Sequence, residues 1–213
     1  MKSILSKEVV GTFIDAVYAI AVTILALEVP GEFKGKFAIG SFGEMLVEYV
    51  LSFLILFALW IQHRRINGLN GDSVGSAVIW VNGLVLLLVC LVPRATTLVF
   101  DYGGDVTLVQ LEGSLNHGAG WTLSEFVDFF YITLVLAADL GLLVLIGKIS
   151  RKSTDDETIR IRCSKITVTV LTVGVLLLSL LIPVENRYFL LLMPLSLMFE
   201  RGLTDLIFRK NQA

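Results

Sequence analysis

The chain has 213 residues, of which 55% are hydrophobic and 17% charged, with a mean hydropathy of +0.82 and a formal net charge of −2. An ordinary soluble domain is excluded, since such domains are about 45–50% apolar and about a quarter charged. Each membrane crossing takes about 20 mainly apolar residues, so the length accommodates about six short-looped helices and no soluble domain beside them.

Taken in chain order, apolar runs occupy Val9 to Val29, Phe42 to Ile61, Val74 to Phe100, Leu123 to Ile149, Ile166 to Ile182 and Tyr188 to Phe208. The sequence predicts six transmembrane helices, all-α, forming one domain over residues 1–213. Between the runs stand turn and charge signals: Pro30-Gly31, the stretch from Asn67 to Asp72, a glycine-rich segment from Asp101 to Gly120, the charged loop from Arg151 to Arg162, and Pro183 to Arg187. The first run is long, contains Asp15 and lacks a small-x-small cleavage site, so it reads as a retained span and not as a signal peptide.

Basic residues set the orientation, because short cytoplasmic loops collect Lys and Arg. With six spans, the side away from the cytoplasm holds only Lys34, Lys36, Arg94 and Arg187 of the 17 basic residues. The rest, including Lys7, Arg64, Arg65, Lys148, Arg160, Arg162 and Lys165, fall on the other side. A multi-pass protein of the cell membrane with both termini cytoplasmic is expected. Glu28, Glu32, Asp101, Asp105, Glu112 and Glu185 fall on the opposite side, where acids are either an attracting mouth for cations or simply tolerated.

Enzymatic chemistry has no visible address. The two histidines and two cysteines lack ligand spacing, and no Walker loop, dinucleotide glycine pattern or nucleophile elbow occurs. No cofactor, bound metal or nucleic-acid partner is expected. Thr172-Val173-Gly174-Val175 echoes part of a potassium filter, but it lies within an apolar run, and a filter needs backbone carbonyls facing water. Voltage sensing is unsupported, since Arg160 and Arg162 are expected in a loop and no span repeats arginine every third residue.

What remains is the polar content of the spans, because ionisable groups at membrane depth are costly. Asp15, His63, Asn82 and Asp139 are the deep candidates, with Asp128, Glu200 and Asp205 near helix ends. Asp139 is placed to pair with a base on a neighbouring helix or to line a crevice. On the first helix, Phe13, Ala16, Val17, Thr23, Ile24 and Leu27 fall within about 60° of Ile20, whereas Asp15 falls about 140° away. One face is therefore an aliphatic stripe with a single threonine, and the other carries a carboxylate. Such a stripe also suits lipid or core packing, so periodicity alone leaves its partner open.

Phe13-Ile14-Asp15, followed by Ile20 and Thr23, resembles the first-helix signature Arg-x-x-x-Phe-Ser-Asp of the transmembrane protein 175 family, cation channels of lysosomes and prokaryotes. Trp60-Ile61-Gln62-His63 resembles its second-span Trp-x-x-His, and Asn82 with Pro93 resembles its third-span asparagine and closing proline. The resemblance covers the first half of the chain. Two positions depart from it: Ile14 stands where the family has serine and Val9 where it has arginine.

The resemblance implies a homotetramer of six-helix subunits whose first helices surround a pore permeable to potassium and other monovalent cations. Ile20, Ile24 and Leu27 would form the constriction, able to gate by dewetting, and Thr23 would add a ring of hydroxyls. Asp15, Trp60, His63 and Asn82 would form the structural polar network behind it. The alternative is a secondary transporter with Asp15 or Asp139 as coupling carboxylate, although the inverted repeat usual in such proteins is not evident.

Overall fold

The computed structural model describes residues 3–28, 39–102, 123–149 and 156–181. They form β1 (Ser3–Ser6), α1 (Lys7–Glu28), α2 (Ile39–Gly68), β2 (Ser73–Gly75), α3 (Ser76–Tyr102), α4 (Leu123–Ile149) and α5 (Asp156–Leu181). The expected sixth span, with Glu200 and Asp205, lies outside the described residues, as do Glu32, Asp105, Glu112 and Glu185 of the expected acidic side. Four of the five described helices, α1 to α4, are long and apolar enough to cross a membrane.

α4 has the bounds expected from hydropathy, and α1 and α3 agree within two residues. Two helices differ, for one physical reason: apolarity marks the lipid-buried stretch, whereas a helix continues wherever its backbone bonds are satisfied. α2 continues past Ile61 to Gly68 and carries Arg64 and Arg65 within the helix, not in a loop. α5 begins at Asp156, so Arg160 and Arg162 occupy its first turns instead of the expected loop, and Lys165 lies well inside it.

Pro93, likened to a closing proline, stands inside α3, which continues to Tyr102 in keeping with the apolar run to Phe100. Proline removes one N–H and so frees the carbonyl four residues earlier. Three and four residues after the proline, hydroxyls bond back within the helix, Thr96 Oγ1 to the Val92 carbonyl at 2.9 Å and Thr97 Oγ1 to that of Pro93 at 3.0 Å.

The start of α1 is fastened to the α2–α3 turn. β1 pairs antiparallel with β2, Leu5 opposite Val74 and Ser6 opposite Ser73, with an irregularity between Ser3 and Leu5. Ser6 caps α1 by accepting the Val9 N–H at 3.3 Å. The Lys7 N–H reaches the Asp72 carbonyl at 3.2 Å, and the Lys7 ammonium donates to the Gly68 carbonyl at the end of α2. A cation there also favours the negative end of that helix.

Packing follows the order of neighbours: α1 lies against α2 and α3, α3 against α4, and α4 against α5, with α2 also touching α4. The core is aliphatic, with Ile55, Leu59, Val85, Val89, Val135, Leu142 and Leu145 fully buried. α4 approaches α3 at Gly141, where a β-carbon would stand 2.6 Å from a methyl of Val85. Small residues allow such close approach where lipid supplies no hydrophobic drive for association.

Candidate functional site

α1 presents two unlike faces. Val10, Ile14, Tyr18, Ala21 and Leu25 recur every three or four residues and are buried against the bundle. On the other side Phe13, Ile20, Ile24 and Leu27 are exposed, Ile20 by 56% and Leu27 by 79%, with Thr23 exposed among them. Of the expected stripe only Val17 packs partly against the core. The Thr23 hydroxyl bonds back to the Ala19 carbonyl at 2.8 Å, which leaves its oxygen's lone pairs facing away from the helix. Ile14, where the resembled motif has serine, is completely buried and packs as a hydrophobe.

Behind α1, the polar residues divide into separate groups where one network was expected. Asp15 accepts the Trp60 indole N–H at 2.9 Å, and its Oδ1 lies 3.3 Å from the Arg64 guanidinium. His63 belongs to a second group. Its Nε2 lies 2.6 Å from Asn82 Oδ1, and Nδ1 lies 3.5 Å from the Tyr18 hydroxyl, whose ring meets the imidazole edge-on. The Asn82 amide N–H donates to the Val78 carbonyl at 2.8 Å, so its oxygen is the acceptor for His63 Nε2–H and Tyr18 donates to Nδ1. Asp15 thus meets Trp60, while among the described residues its bonds do not extend to His63 or Asn82. The helical periodicity explains the split: Trp60 and Arg64, four apart, share a face of α2, whereas His63 points about 60–100° away from both.

A third group lies across α2. The Lys165 ammonium of α5 donates to Asp139 of α4 and to the Gln62 side-chain oxygen of α2. Thr169, one turn after Lys165, donates to the other Asp139 oxygen at 2.6 Å. All four are nearly inaccessible, Asp139 at 0% and Lys165 at 1% exposed. Asp139 therefore pairs with a base on a neighbouring helix.

The three groups share the single turn Trp60–Arg64 of α2. An aromatic ladder of Tyr49, Phe53 and Phe57 leads to it, with Phe57 and Trp60 rings 5.7 Å apart. Sequence reading missed four of its partners: Tyr18, Gln62, Arg64 and Lys165. Tyr18 could have been found three residues after Asp15 on the same flank, and Arg64 four after Trp60. Lys165 was hidden because hydropathy began its span at Ile166. Arg64 lies across Gly11, whose missing side chain leaves room for the guanidinium. The filter-like Thr172-Val173-Gly174-Val175 sits in unbroken helix, with Thr172 Oγ1 bonded to the Val168 carbonyl at 3.0 Å.

Residues 10–93 match the model of a family described as the endosomal/lysosomal potassium channel TMEM175. A curated potassium channel of Chamaesiphon minutus is 33% identical over 97 residues, covering 42% of this chain and 47% of that protein. Another of Streptomyces collinus is 32% identical over 100 residues, covering 44% and 47%. The chain thus spans about half the length of the curated relatives it matches. The crystal structure of a homologue of the lysosomal potassium-selective channel TMEM175 from Chamaesiphon minutus superposes with a TM-score of 0.72, covering 93% of this chain and 98% of that one at 20% identity. The stripe of α1 and the whole Trp60–Arg64 turn lie within residues 10–93, the part similar to the TMEM175 family model, and the fold of the chain is similar to that of the Chamaesiphon minutus structure.

Proposed function

We propose that the chain is a subunit of a potassium-permeable cation channel, a homotetramer of six-helix subunits in the cell membrane with cytoplasmic termini. Four α1 helices surround the pore. Ile20, Ile24 and Leu27 form rings that narrow the path below the width of a hydrated ion and gate it by dewetting, with Thr23 hydroxyls beside them. Potassium and other monovalent cations pass transiently, and no cofactor is required.

One observation carries this reading: among the described residues, the stripe of Ile20, Thr23, Ile24 and Leu27 is exposed on a helix whose opposite side is both packed and hydrogen-bonded. The matched relatives bear the name of potassium channels, which supports assigning that free face to an ion path. The alternative, a transporter with Asp15 or Asp139 as coupling carboxylate, would have to release a carboxylate already held by Trp60 and Arg64 or by Lys165 and Thr169.

The test is ion flux from purified protein in liposomes under opposed potassium and sodium gradients. The channel reading predicts unsaturating current that reverses towards the potassium potential. Saturable, proton-coupled uptake of a solute would refute it.

A further inference from the structure

The Lys165–Asp139 pair lies apart from the stripe, yet it bonds to the same helical turn that holds the α1 carboxylate. A fully buried ion pair gains little stability over apolar residues of similar volume, so folding stability alone does not account for it. Its geometry suggests what else it does. On α2, Gln62 projects about 160–200° from Trp60 and Arg64. Trp60 and Arg64 grip Asp15 of α1, while Gln62 grips Lys165 of α5 on the far side. Lys165 is in turn held by Asp139 of α4. α2 therefore cannot rotate or slide at this level without disturbing bonds on both sides at once.

We propose that Lys165 and Asp139, acting through Gln62, are positioning residues for permeation: they fix the rotation of α2 at its Trp60–Arg64 turn and so set where Asp15 holds the pore helix. This inference rests on the channel reading. Movements of α4 and α5 are passed to α1 through a hydrogen-bonded relay of side chains, with no part of the relay touching the ion path. The ammonium is a strong anchor because a bond to an ionised donor outweighs a neutral one, and the low-dielectric surroundings leave it no water to exchange for.

Full-length protein in planar bilayers tests it, using Gln62→Leu, the charge-free pair Asp139→Leu/Lys165→Met, and the triple combination. Removing both charges together leaves no orphan ion, so the pair variant should assemble like wild type. Gln62→Leu cuts the relay and leaves the ion pair in place. Each is expected to change open probability or potassium-over-sodium preference by about threefold or more, the scale of one hydrogen bond lost from a two-state balance. The triple variant should show no further change, because all cut one relay.

Wild-type gating and ion preference in assembled Gln62→Leu or pair variants would overturn the proposal. So would a triple variant whose change is the product of the two. A charge-free pair that fails to assemble while Gln62→Leu conducts as wild type would also overturn it, leaving the ion pair a folding role alone. Absence of current from the wild-type protein would defeat the channel reading itself, which separates the two failures.

Discussion

The two sides of the Trp60–Arg64 turn hold charge in opposite ways. Towards α1, Asp15 and Arg64 keep side-chain exposures of 39% and 48%, and their contact is 3.3 Å. Towards α4 and α5, Asp139 and Lys165 are sealed from solvent and satisfied by Thr169 and Gln62. Partly exposed ions keep room for another partner beside them, whereas sealed ones do not. An acid–base pair is therefore tolerant on one side of α2 and unforgiving on the other, and substitutions should rank accordingly.

The largest effect is expected from breaking the sealed pair on one side only. Lys165→Met strands the Asp139 carboxylate and should cost about 3–5 kcal/mol, seen as loss of the assembled species in size-exclusion chromatography and a lower melting temperature. A melting curve like that of wild type would mean that Asp139 finds another partner, and the contrast would collapse. Next comes Asn82→Leu, which leaves the buried His63 Nε2–H without its acceptor and should cost about 1–3 kcal/mol; no shift in Tm would remove the His63–Asn82 bond from the account.

Trp60→Phe keeps the aromatic ladder but deletes the indole donor to Asp15, an expected loss of about 0.5–1.5 kcal/mol. Thermal melts of the purified protein would measure it, and a loss as large as that of Lys165→Met would show the α1 side to be no more tolerant than the other. Arg64→Gln should cost least, at most about 1 kcal/mol, since the pair is partly exposed and weakened by salt. A Tm indistinguishable between low and high salt in the wild type, together with a large loss in this variant, would contradict that ranking.

The contrast also explains what was legible in the sequence. The four apolar helices and the unlike faces of α1 follow from hydropathy and period alone, because both are properties of one segment at a time. Asp15 beside Trp60, and His63 beside Asn82, were approached through spaced motifs, yet the division between them required knowing which way each residue of the turn points. Lys165 was beyond reach for a different reason. A window that penalises charge ends the span at Ile166, so the base that neutralises Asp139 is read as loop. The short pairing of β1 with β2 was missed too, since strands of four and three residues show no periodicity.

Packing makes one face of α1 the mounted side, held by Asp15, Tyr18 and the buried aliphatics, and leaves the other face exposed among the described residues. The central claim is that this free face lines the path, and exposure alone does not distinguish it from α3, where Trp80, Leu84, Leu87 and Leu91 form another exposed apolar stripe. The decisive measurement is thiol accessibility during conduction. In a background with Cys90 and Cys163 replaced, Ile20→Cys and Leu84→Cys are each exposed to a charged, water-borne thiol reagent while potassium flux is recorded in liposomes. The account predicts that the reagent blocks flux through the Ile20→Cys protein and leaves that through Leu84→Cys unchanged; unaltered flux through Ile20→Cys, or block at Leu84→Cys instead, would contradict it.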